Sequence, residues 1–88
     1  MPYISQEERS QYDLFRVFLR DMPPIKDKGN LEYMVYLLML KFMSSREQRY
    51  GTLHEAVYGC IHAGEEFRRI FLDKRETVAK QKNGDVTL

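Results

Sequence analysis

The side chains best suited to chemistry lie close together, between His54 and Arg75. His62 stands three and four residues ahead of Glu65 and Glu66, so one helical turn would set an imidazole beside two carboxylates. A metal site needs three or four ligands, and no second His–Glu group stands elsewhere to complete one. No metal and no cofactor is therefore expected. His54 titrates in a range useful for acid–base work, yet the sequence sets no serine or cysteine nucleophile near it and holds no glycine-rich phosphate loop. No catalytic residue is assigned, and a non-enzymatic role follows. Arg68 and Arg69 are the best anion binders, because guanidinium forks suit phosphate geometry. With Tyr58 as a stacking surface and Glu66 as the adjoining carboxylate they form the candidate ligand-binding set. The alternative is a solvated helix face, since Glu65, Glu66, Asp73 and Glu76 interleave with the basic residues and Glu76–Lys80 is well oriented for a helix ion pair.

The element that must carry these residues is one long amphipathic helix over about 53–82. Thr52 and Glu55 read as a capping box at its start. Asn83-Gly84 reads as its stop, because both residues tolerate positive φ, and a polar tail 83–88 follows. Leu53, Ala56, Val57, Cys60, Ala63, Gly64, Phe67, Ile70 and Phe71 recur at helical spacing and make one face. That face is small in its first half and large in its second. A neighbouring backbone could approach closely at Ala63 and Gly64, by intramolecular packing or in a groove for a partner.

Two shorter helices precede it. Ser5 with Glu8 opens a helix over about 5–21, an ordinary surface helix with Leu14, Phe15, Phe18, Leu19 and Met22 on one side, ended by Pro23-Pro24. Asn30 can cap a second over about 31–44, which carries more apolar residues than one face can hold. Either it is fully central, or its excess face, including Met34, Leu38, Met39 and Phe42, is an interface with a second copy. The expected fold is all-α, a single domain of three helices with a long C-terminal helix, self-associating.

Composition narrows the function classes. Eighty-eight residues allow one modest core and no more. A lone cysteine, Cys60, excludes an internal disulfide and suits a reducing compartment, so a cytoplasmic location is expected. The longest apolar run, Tyr33 to Leu40, is far short of the roughly 20 residues of a membrane span. The opening residues are polar and acidic after Ile4, unlike a secretory leader. A net charge of +1 implies no field strong enough to gather nucleic acid.

Pro2-Tyr3-Ile4, Glu8, Arg9, Gly29, Leu31 and Tyr33, then Tyr50, Leu53, Ala63, Glu66-Phe67, Arg69 and Glu76, and the closing Asn83-Gly84-Asp85-Val86 carry a resemblance over most of the chain. On these residues it resembles a family of small bacterial and tailed-phage proteins of uncharacterised function. It departs from that pattern at Glu32, Ile70 and Lys74-Arg75. The resemblance implies a small helical cytoplasmic protein made in a bacterial cell or a phage-infected host, and it supplies no activity. Glu66, Arg69, Glu76, Asn83 and Asp85 match it without an evident packing duty. They either fold the tail back, with Arg69 or Arg9 holding a carboxylate, or form a polar site between subunits.

The function expected is a binding or regulatory module acting as a homodimer or larger assembly. The alternative is a phage-encoded factor that grips a host protein or sequesters a small anionic nucleotide.

Overall fold

The computed structural model describes residues 2–88, and over that range the chain is all-α with no strand. Ser5 opens α1 (Gln6–Ser10), its Oγ accepting the Glu8 N–H at 3.1 Å. The first helix does not run unbroken to residue 21. The Ser10 hydroxyl turns back to donate to the Glu7 carbonyl at 2.7 Å, and the Tyr12 N–H bonds the Arg9 carbonyl, three residues back, at 3.0 Å. This tightened turn uses up the backbone partners a continuing helix would need, and α2 (Asp13–Asp21) starts afresh. Met22 then adopts an extended conformation, as a residue before proline must.

α3 (Lys28–Met43) begins earlier than the sequence pattern suggests, because its cap is Asp27 and not Asn30. The Asp27 carboxylate accepts the Asn30 N–H at 2.8 Å and the Asn30 side-chain amide at 2.7 Å. α4 (Tyr50–Phe67) likewise begins ahead of Thr52. Thr52 is a residue of the first turn whose Oγ1 accepts the Arg49 N–H at 3.1 Å and donates to the Glu47 carbonyl at 2.6 Å. It therefore ties the helix to the incoming loop, and Gly51 lies inside the helix. A π-helical segment, Arg68–Leu72, joins α4 to α5 (Asp73–Asn83) without a break. The expected long C-terminal helix is thus present, with one widened turn. Gly84 ends it at φ 88°, its N–H donating to the Lys80 carbonyl at 2.8 Å.

Packing between separate helices is chiefly α3 on α4. Ala56, 9% exposed, is the one buried residue of the described chain. Val35, Met39, Phe42 and Met43 on α3 and Thr52 and Cys60 on α4 are half-buried. The small-residue stripe is therefore used at Ala56 and Cys60. Ala63 and Gly64 are exposed, and a Cβ added at Gly59 or Gly64 would meet nothing within 4 Å. This corrects the expectation of intramolecular close packing at Ala63 and Gly64.

The result is open in shape. The radius of gyration is 17.1 Å, where about 12 Å is usual for a compact chain of this length. The accessible surface is 8445 Å², where a compact monomer of this mass exposes about 5,400 Å². Among the described residues no helix is long and apolar enough to cross a membrane.

Candidate functional site

On the face of α4 away from Ala56, four rings stand at four-residue spacing. Tyr50 and His54 have centroids 5.7 Å apart, His54 and Tyr58 stack at 4.1 Å, and Tyr58 and His62 are 6.0 Å apart. Residues four apart share a helix face, so the sequence alone builds this ladder. It leads into a shallow hollow of about 380 Å³ lined by His62, Glu65, Glu66 and Arg69.

Arg69 Nε lies 2.5 Å from Glu66 Oε1 across one turn. The Glu66 side chain is 12% exposed and that of Arg69 69%, so the carboxylate is covered and the guanidinium caps it from outside. The Arg69 pKa is pushed above its ordinary value, first by the hydrogen bond to Glu66, then by that carboxylate's charge, with a smaller contribution from Tyr3. At the start of the chain, the Pro2–Ile4 arm precedes α1. Arg9 steadies that arm by donating from Nε to the Ile4 carbonyl at 2.9 Å. Across the widened turn, Arg68 Nε is 3.5 Å from Asp73 Oδ1.

Both candidate anion-binding arginines therefore already face a carboxylate. The hollow holds two carboxylates against one guanidinium, which makes it acidic and a poor receptacle for phosphate. Of the candidate set, Glu66 and Arg69 come together, Tyr58 stands in the ladder behind them, and Arg68 turns to Asp73. The carboxylate that Arg69 holds is Glu66, one turn away along its own helix. Asp85 is held differently: Lys80 Nζ reaches its Oδ2 at 3.4 Å. Among the described residues no group of three or more His, Cys, Asp or Glu side chains could hold a metal ion.

The candidate interface residues divide. Met34, Met39 and Phe42 are half-buried, while Leu38, Ala63 and Gly64 are open to solvent. One feature escaped the sequence pattern. The outward apolar side of α2 had a signal, its helical spacing, but that spacing equally describes a helix covered by the core.

A family model described as a domain of unknown function, DUF6899, matches residues 1–86. The chain belongs to this family. No match was found among curated proteins or among solved structures. The matched span takes in the Pro2–Ile4 arm, the ring ladder and Arg69 together, so these parts lie within one family unit.

Proposed function

We propose that this protein is a non-enzymatic binding or regulatory module whose working form is a homo-oligomer in the cytoplasm of a bacterial cell or phage-infected host. The observation that carries the reading is surface: the chain exposes about 3,000 Å² more than a compact monomer of its mass. Much of that excess is apolar, with Leu14, Phe18, Tyr33, Leu37, Leu40, Val57 and Ile61 all exposed. A standard interface removes only about 800 Å² from each partner. One such contact would leave most of the excess in water, so the reading calls for an extensive or multiple interface. Sedimentation velocity or mass photometry at micromolar concentration is expected to give a dimer or larger. A strictly monomeric species over that range rejects the reading.

The second reading, a host-interfering protein that sequesters a small anionic nucleotide, draws on the ring ladder, whose tyrosine faces suit base stacking. It needs Arg69 to exchange Glu66 for phosphate. Titration calorimetry of the oligomer with linear and cyclic nucleotides would then show binding that weakens with salt and is abolished by Arg69→Glu. A flat titration at low salt leaves a protein partner as the ligand class.

A further inference from the structure

α4, the π-helical segment and α5 make one uninterrupted rod, and its charge is split along its length. α4 holds Glu55, Glu65 and Glu66 and neither lysine nor arginine over its 18 residues, a charge of −3 with neutral histidines. From Arg68 to Asn83, six cations (Arg68, Arg69, Lys74, Arg75, Lys80 and Lys82) stand against Asp73 and Glu76, a charge of +4. The helix macrodipole does not account for this split, because it acts within the first and last turns. The first turn of α4 has no acidic residue, and Glu65 and Glu66 lie at its far end. Near the middle of the rod the charges are answered within the chain, Glu66 by Arg69 and Asp73 by Arg68. Lys80 is answered by Asp85. Glu55 and Glu65 on one half, and Lys74, Arg75 and Lys82 on the other, have no ion partner among the described residues. Glu76 is the one unpaired carboxylate of α5, so the free charge is acidic on one half and basic on the other.

We propose that these halves meet between copies: two rods lie antiparallel about a two-fold axis, the acidic half of each on the basic half of the other. A two-fold contact requires each copy to offer both complementary parts, and a rod charged in this way offers them. The spacing agrees with a single register. Glu55 and Glu65 are ten residues apart and Lys74 and Lys82 eight, about 15 and 12 Å along a helix, and neither interval crosses the widened turn. At about 100° per residue each pair diverges by about 80°, so each stays within a quarter turn of the rod. Setting Glu65 opposite Lys74 therefore brings Glu55 opposite Lys82 to within about 3 Å along the axis of the rod, with the two-fold near Arg69. There the Glu66–Arg69 and Arg68–Asp73 pairs are neutral, so no net charge is repelled across the two-fold. A parallel pairing would set acid on acid and base on base. An extended polyanion would answer the basic half and be repelled by the acidic one, so a second copy is the better complement. Charges flanking a helix pair fix its orientation and register more than its strength. The proposal rests on the assembly reading and gives it an arrangement of the long helices.

The test exchanges charge between the halves. Glu55→Lys with Glu65→Lys sets cation on cation, and Lys74→Glu with Lys82→Glu sets acid on acid. Each double variant, with helicity confirmed by circular dichroism, should associate about tenfold more weakly or worse in sedimentation at low salt. An equimolar mixture of the two should recover the mass of the unmodified chain, because both halves of the mixed pair are again opposite in charge. Association of the unmodified chain should also weaken as salt rises. If the unmodified chain is oligomeric but the reversals leave its association unchanged, or the mixture recovers nothing, this arrangement is overturned and the assembly reading stands. A chain monomeric at all micromolar concentrations removes both. A monomer held by heparin, and freed by Lys74→Glu with Lys82→Glu, puts a polyanion in place of the second copy.

Discussion

α2 and α5 both stand largely clear of the α3–α4 pair, yet they pose opposite problems. α2 sets Leu14 and Phe18 outward in water. α5 is polar nearly all round, with Val78 as its one exposed large apolar side chain and lysines, arginine and carboxylates on every side. A helix that is polar all round can stand in solvent, while an amphipathic one must cover its stripe. Exposure by itself therefore does not call for a partner; the composition of the exposed face does.

The sharpest way to break this contrast is to put the same charge on both helices. Leu14→Asp is expected to halve the native mass or more, whereas Val78→Asp should lower it far less and leave the melting temperature almost unchanged. Native mass photometry of the two variants side by side reads the difference. Equal effects would mean that the two helices are covered alike.

A second contrast lies within α4, between its covered and its open half. Ala56→Leu forces a larger side chain between α3 and α4 and should cost about 1–3 kcal/mol by thermal or urea unfolding. Gly59→Ala, where an added Cβ meets nothing within 4 Å, should gain up to about 1 kcal/mol from helix propensity. A stabilised Ala56→Leu would show that the two helices are looser than the buried alanine implies. A destabilised Gly59→Ala would place a neighbouring chain against that glycine.

These two halves also mark what the sequence could disclose. The helices, the Ser5 cap, the proline break and the Gly84 stop were legible because each depends on residues within one turn. The starts of α3 and α4 were misplaced because Asp27 and Thr52 compete with equally plausible caps, and a bond to Glu47, five residues back, decides the role of Thr52. Helical spacing identified Ala56, Ala63 and Gly64 as one stripe. Which part is covered depends on where α3 crosses, and periodicity holds no such information. In the candidate site, pairing of Arg69 with Glu66 is a one-turn matter and was legible.

A smaller effect is expected at the end of α5. Gly84 sits at φ 88°, where a Cβ is strained although the space around it is open. Gly84→Ala should cost about 1 kcal/mol locally, freeing the Asp85 tail from Lys80. Amide exchange should quicken over residues 80–84 and nowhere in α3. Spread of the effect to α3 would mean that α5 is coupled to the packed pair, against the contrast drawn with α2.

The smallest expected effect is on the cap of α3. The Asp27 carboxyl is held below its ordinary pKa, first by the Asn30 backbone N–H and then by the Asn30 side chain. A carboxyl depressed in the folded state contributes stability above its unfolded pKa, and the contribution fades as pH falls through the lower, folded value. Between neutral pH and the ordinary carboxylate range near about 4 the cap should therefore stay intact. The Asn30 amide resonance should shift only below that range, with its exchange rate rising as the cap is lost. Asp27→Asn keeps an oxygen able to cap and removes the titration, so the Asn30 amide should then be flat with pH. An Asn30 shift centred at the ordinary carboxylate pKa would mean that Asp27 is not engaged in solution as it is here. The start of α3 would then be frayed.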